Sequence, residues 1–354
     1  CGICPTSHAI AYTRAVESAM KLRPPKIVRY LRTMEMELER LSSHMLWTGY
    51  MAHEIGYEAL FMFFWREREN ILDVLEKVTG GRIHHNYHTI GSVRFGLQPG
   101  DDRFILDRLA SVEKKMARYL KTYRSDPIIK ARLKEVGVLT KGDAKRLCLV
   151  GPTARGSGIT NDVRKLDPHL AYPEVDFEVP LEDRGDAWSR TLVRVREILE
   201  SIKIIRQLVK GMPKGKIPAP VSFGNRSSET TGRSEAPRGE DYHFLKIKEG
   251  VIERAKIRTP TFANIISLEY MLKGREIGDT PVILASLDPC FACMERVLIA
   301  KGSKIQTVTE EQFRNRYTKT LTEKEFRRKA RSLALPHAAK SGRAETACKG
   351  DDNA

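Results

Sequence analysis

With 354 residues, 41% of them hydrophobic, the chain is long enough to bury a large core and sits at the upper edge of what one domain holds. No run approaches the roughly 18 uninterrupted apolar residues of a membrane helix, and no charged start, short apolar core and cleavage site occurs, so neither a membrane span nor a secretory signal is read. The formal charge of +16, with 13 Lys/Arg against 7 Asp/Glu in residues 297–354, does not by itself choose among nucleic acid, an anionic membrane face, an acidic partner and plain solvation, and no aromatic–basic interleaving or zinc-finger spacing supports nucleic acid.

The chain starts at Cys1 without a methionine, and a motif at its very first residue reads as the loss of a natural N-terminus. Residues 6–22 and 24–55 read as helices parted at Pro24-Pro25; in the second, Ile27, Tyr30, Leu31, Met34, Leu38, Leu41, Met45 and Leu46 recur at three- and four-residue steps. A third helix spans about 56–79 and stops at Gly80-Gly81. Residues 101–135 and 184–210 also have helical period and long charged faces, which predicts a bundle. From 211, Gly and Pro recur and the Ser/Thr/Gly-rich SSETTGRSEAPRG reads as loop. Residues 241–248 and 251–258 alternate apolar and polar across Glu249-Gly250, a hairpin pattern. A short helix at 261–274 and a strand at 281–286 follow, then a charged segment with one helix at 322–334 and a tail too polar to pack. The expected fold class is therefore mainly α (α+β), a long-helix bundle with a small β-hairpin portion. The expected organisation is one large domain over 1–296 and a basic extension over 297–354.

Six cysteines stand at 1, 4, 148, 290, 293 and 348. Without an export signal, Cys-x-x-C pairs point to metal or redox chemistry rather than structural disulfides. The pairs lie in CGICPTSH (1–8) and DPCFACMER (288–296), and a soft thiolate set selects zinc, iron or nickel over hard cations. A local zinc ribbon would place the pairs close together, whereas 285 residues lie between Cys4 and Cys290, which favours a centre joining both ends of a large domain. Cys148 reads as a buried small hydrophobe and Cys348 as an exposed tail thiol.

These two motifs, in this order at opposite chain ends, resemble the signatures of nickel-iron hydrogenase large subunits. Between them, LERLSSHMLW (38–47), FWREREN (64–70), GGRIHHNY (80–87), GPTARGSGITNDVRK (151–165) and SEAPRGE (234–240) resemble the energy-converting, membrane-associated hydrogenases and equally the 49-kilodalton quinone-site subunit of respiratory complex I. Complex I subunits of this type have lost the four thiolates, and this chain keeps them. The resemblance implies Cys1 and Cys290 as terminal nickel ligands, and Cys4 and Cys293 as sulfurs bridging nickel to an iron that carries two cyanides and one carbon monoxide. It places Arg238 over the open metal face, with Asp288 fixing it by a bidentate pair, and His8 as hydrogen-bond partner of a bridging sulfur. Without the resemblance, Arg238 reads as an ordinary loop arginine, Asp288-Pro289 as a turn initiator and His8 as a helix cap. Glu240 is a candidate for passing protons, and His44 and the His84-His85 pair for packing or proton relay. The resemblance places Arg155 and Asp162 in the wall between the metal centre and the electron-accepting cluster, while the residues alone equally read Asp162 and Arg164 as a surface pair; Gly156 and Gly158 allow close backbone approach.

The resemblance further implies a small subunit with a four-iron four-sulfur cluster, membrane subunits that translocate ions, nickel-insertion proteins and a maturation protease cutting at Arg296-Val297 to release 58 residues. It places the chain at the cytoplasmic face of the cell membrane, as a catalytic subunit interconverting hydrogen with protons and electrons. The rival expectations are a complex-I-like quinone-site subunit in an NADH-linked complex, with His44 and His85 facing quinone, and a non-catalytic zinc-stapled module.

Overall fold

Pro5 opens the first helix, because a residue without an N–H and with fixed φ suits the first helical position. The structure is a computed structural model that describes residues 2–294, and the backbone alone at 297–301 and 304–308. Four long helices, α2 to α4 and a later one, carry the core. In order, the chain forms α1 (Pro5–Ala19), α2 (Lys26–Glu54), α3 (Glu58–Thr79), the two-residue strands β1 (His88–Thr89) and β2 (Ser92–Val93), and α4 (Asp101–Ser125). Short helices α5 (Pro127–Leu133), α6 (Lys141–Arg146), α7 (Gly151–Arg155) and α8 (Val163–Leu166) lead to the long α9 (Ala187–Lys210). A three-stranded antiparallel sheet follows, β3 (Ser228–Ala236), β4 (Gly239–Lys248) and β5 (Val251–Arg258), then α10 (Pro260–Asn264), α11 (Ser267–Leu272) and α12 (Thr280–Leu287).

The chain divides into a unit Cys1–Met294 and a unit Glu295–Ala354. In the second, β6 (Val297–Lys301) and β7 (Lys304–Val308) pair antiparallel. The expected helix at 322–334, the bond at Arg296-Val297, Cys1 and Cys348 lie outside the described residues.

In the first unit, α2 packs against α3 and α9, and α4 packs against α3 and α9. The apolar stripe of α2 (Leu31, Met34, Leu38, Leu41, Met45) is wholly buried, each such side chain contributing about 1.5–3 kcal/mol. Its other face is equally buried yet carries Arg32, Glu35, Glu37, Glu39, Arg40 and His44, so α2 is core all round and each charge needs a partner.

Three expectations need correction. The 101–135 helix breaks at Asp126-Pro127: the Asp126 carboxylate accepts from Ile128 N and Ile129 N and starts α5. Residues 281–286 form α12 rather than a strand, since the apolar run fills a slot against α2 and α9 where either shape buries it and Pro281 sits at a helix start. The polar stretch read as loop contains β3, the neighbour of β4. Its polar side chains are buried because each finds a partner: Thr230 Oγ1 donates to Ala15 O at 2.8 Å and Ser234 Oγ to Ser7 O at 2.9 Å, which presses α1 onto the strand.

Candidate metal centre

Cys4 is the residue just before α1 and is fully buried. The second pair follows α12, which ends on Asp288 in the left-handed region (φ 60°) and continues through Pro289 into a 3-10 turn over Phe291–Met294. That turn is pinned by its backbone: Cys293 N donates to Cys290 O at 3.1 Å, Cys290 N to Thr261 Oγ1 at 3.2 Å, and Thr259 Oγ1 to Cys293 O at 3.1 Å. The result brings Cys4 and Cys293 Sγ and a ring nitrogen of His8 within 4.8 Å of one another. A hydrogen bond from Cys293 pulls the Cys290 thiol down to about 6, while Cys293, bonded to Cys290 and Cys4, is pushed up. Three described sulfurs thus gather at one spot.

Arg238 occupies the two-residue turn joining β3 to β4, with Ala236 paired to Gly239. It is 2% exposed and fixed by three donors: Nε to Asp288 O at 2.9 Å, Nη2 to Asp288 Oδ1 at 2.6 Å and Nη1 to Ser43 Oγ at 3.1 Å. The pair with Asp288 is therefore one carboxylate oxygen plus a backbone carbonyl, rather than a two-oxygen fork. Burial pulls the guanidinium down, but Asp288, Cys4 and Cys290 outweigh it and hold it protonated. The turn reaches this depth because two backbones nearly touch. A Cβ on Gly151 (φ +65°) would lie 2.3 Å from Arg238 O, and one on Gly239 2.7 Å from Gly151 N. Asn264 bridges them, accepting from Val150 N at 3.0 Å and donating to Val150 O at 3.1 Å and to Arg238 O at 3.4 Å. Gly151, rather than Gly156 or Gly158, is the close approach that positions the arginine.

His8 Nδ1 lies 2.8 Å from Asp241 Oδ2, which also lies 3.1 Å from His243 Nε2. Alternation along β4 sends Asp241 and His243 to the face of α1 and Glu240 to the other, where Glu240 pairs with Arg258 and, at 3.4 Å, with Arg233. Glu240 is not brought to the sulfurs. His44 is fully buried, its Nε2 2.8 Å from Glu197 Oε2, and burial lowers it to about 4 although Glu197 pulls the other way. His85 Nδ1 sits 3.0 Å from Glu35 Oε1 and from Thr6 Oγ1, directly under the first motif. Ser7 Oγ donates to Glu39 Oε1 at 2.6 Å in the same place. Cys148 is exposed, contrary to expectation: the residue after α6 and Leu147 turns left-handed (φ 52°) and aims the neighbouring Leu149 inward.

Behind the centre, Arg155 donates to Glu197 Oε1 and to Glu235 Oε1, both at 2.8 Å. Asp162 pairs with Arg164 at 2.7 Å and both are buried, so this is no surface pair. Arg164 reaches Glu37 at 3.2 Å, which also accepts from Tyr172 OH at 2.5 Å and Ser201 Oγ at 2.6 Å. Burial and Asp162 raise Glu235 to about 7, and Arg155 opposes the rise. A mainly apolar cavity of about 730 Å³ adjoins the centre, lined by Ile3, Leu46, Trp47 and Phe291 together with Arg238 and Asp288.

Ser43, Asp241, His243 and Gly151 were not singled out from sequence. The signal available for Ser43 and Gly151 was their place inside motifs already noticed; for Asp241 and His243 it was strand parity relative to Arg238. As to the donor set, buried thiols facing a fixed guanidinium suit a soft, thiolate-ligated metal. No described helix is long and apolar enough to cross a membrane.

The family model for "Respiratory-chain NADH dehydrogenase, 49 Kd subunit" matches residues 54–223 and 221–296, and that for "Nickel-dependent hydrogenase" matches 1–57. Among curated proteins, the membrane-bound hydrogenase alpha subunit of Pyrococcus furiosus is 37% identical over 88% of this chain and 77% of its own length. The carbon monoxide-induced hydrogenase of Rhodospirillum rubrum is 37% identical over 84% of this chain and 82% of its own. An NADH-quinone oxidoreductase subunit of Thermosipho melanesiensis is 33% identical over 82% of each.

Proposed function

The chain belongs to the family of the 49-kilodalton NADH dehydrogenase subunit and the nickel-dependent hydrogenases, and from that premise we propose that it is the catalytic large subunit of an energy-converting nickel-iron hydrogenase. Both branches are oxidoreductases; the Pyrococcus relative is a subunit of a membrane-bound hydrogenase and the Thermosipho relative a subunit of an NADH-quinone oxidoreductase. The observation that carries the hydrogenase reading is the convergence of thiols from both chain ends beneath a buried arginine. A quinone-site subunit has no use for that set.

Cys4, Cys290 and Cys293, with Cys1 as the fourth, are the residues that would hold the nickel-iron pair, the iron carrying cyanide and carbon monoxide. When bound, that pair supplies reversible two-electron chemistry of hydrogen. The protein's own part is positional. Arg238 stays charged in a dry site, because Asp288 and Ser43 fix its fork, and offers donors where negative charge develops. His8 stands beside Cys4 and Cys293, where a ring N–H can donate to a sulfur and orient it. The apolar cavity admits a small apolar molecule to the Arg238 side and keeps bulk water sparse. Electrons leave through a partner with an iron-sulfur cluster, since the described cysteines are used by the centre; Cys148 is exposed and apart.

The same cavity is also what a complex-I-like reading would use for quinone, although His44 is sealed against Glu197 rather than facing it. Metal analysis separates the two. The purified complex is expected to contain about one nickel per chain and to reduce a viologen dye with hydrogen, and Cys290→Ser to abolish both. A nickel-free complex that reduces quinone with NADH would replace this reading with the other.

A further inference from the structure

We propose that His8, Asp241 and His243 form a second metal site, for a divalent cation of borderline softness such as zinc or iron(II), tying α1 to β4. His8 Nδ1, Asp241 Oδ2 and His243 Nε2 make a nearly equilateral triangle with edges of 2.8, 3.1 and 3.1 Å. The cluster is interior: the Asp241 side chain is fully buried, His243 5% exposed and His8 20%, which leaves one side for entry. Protons satisfy this triangle poorly. Among the described residues, both Asp241 oxygens are buried without an aligned donor, although two ring nitrogens lie within 3.1 Å of Oδ2 and pair with it electrostatically. A buried carboxylate needs a neutralising partner, which an imidazolium or a metal ion on these atoms supplies.

A cation on the axis of the triangle touches all three atoms at once. With metal–ligand bonds of about 2.1 Å, edges near 3 Å subtend about 90° at the ion, one face of an octahedron. Two imidazoles and a carboxylate on one face, with the remaining positions left to water, suit iron(II) or zinc better than magnesium or calcium. The backbone presents the set without strain: Asp241 and His243 are two apart on one strand and share a face, and His8 meets them from α1, one turn after Cys4. The ion would lock the start of α1, and with it the first thiol motif, against the sheet. None of its ligands is a thiol, but His8 borders both sites, so the test reads zinc and nickel separately.

The test measures zinc and nickel per chain in the purified complex after dialysis against zinc, with zinc-edge X-ray absorption. One zinc per chain with only nitrogen and oxygen neighbours is expected, and Asp241→Asn and His243→Gln should each weaken zinc binding by about a hundredfold or more, beyond the 10–100-fold seen for partners that merely support a ligand. Nickel content should be unchanged in His243→Gln. Absence of tightly held zinc in the wild type, sulfur among its neighbours, or wild-type zinc in both variants would overturn the site. If one variant fails to assemble, the other and the wild-type spectrum still decide. Zinc with nitrogen and oxygen neighbours in a complex without nickel would keep this site while refuting the hydrogenase assignment.

Discussion

Two buried, charged regions lie side by side and are built on opposite plans. In the network behind the centre, Arg155, Glu197, Glu235, Arg164, Asp162 and Glu37 pair with one another and with Ser201 and Tyr172, so charge is closed upon itself. At the centre, the thiols converge near the guanidinium of Arg238, which with Asp288 lines a cavity. A closed network is what a fold needs in order to bury ions at all; an open one is what chemistry needs. The difference teaches that burial of charge is not itself a sign of function, and that convergence of reactive groups from distant segments beside a cavity is.

Substitutions can break this contrast. Arg155→Met, on the closed side, strands Glu197 and Glu235 without their shared cation and is expected to cost about 3–5 kcal/mol, read as a lower thermal unfolding temperature of the chain. A loss of hydrogen activity with unchanged stability would instead assign Arg155 to the chemistry. Acid probes the same side. The unfolded His44 takes up its proton near 6.5 and the folded one near 4, so between those values the unfolded state binds more protons and stability falls as pH drops. About 3 kcal/mol present above pH 6.5 should be lost by pH 4, and His44→Gln should flatten that part of the pH–stability curve.

On the open side, Arg238→Lys keeps the charge but loses the fork to Asp288 and Ser43. Nickel should remain and the hydrogen turnover number should fall about a hundredfold, the scale of losing one preorganised donor. Equal turnover would reduce Arg238 to a structural ion. Glu240→Gln is the smallest change: it removes partly exposed pairs with Arg258 and Arg233 and should shift stability by less than about 1 kcal/mol. A fall in turnover with stability intact would restore Glu240 to proton transfer.

The sequence by itself determined the long helices, whose period of apolar residues reports one buried stripe, and the two thiol motifs, whose chemistry is carried by residue type. It also marked the β4–β5 hairpin through Glu249-Gly250. Tertiary structure alone decided the rest. β3 looked like loop because its Thr, Ser and Glu are polar, and only the partners on α1, α7 and α8 make their burial tolerable. The run VILASL, buried on almost every side, carries no period and took its helical form from the gap between α2 and α9. Glu240 and Asp241 are adjacent in sequence yet face opposite ways, a matter of strand register against α1 that no local pattern records. Meeting of the two chain ends at Cys4, Cys290 and Cys293 is of the same kind: residue type announces which atoms can bind a metal, but only packing of distant segments brings those atoms within bonding range of one another.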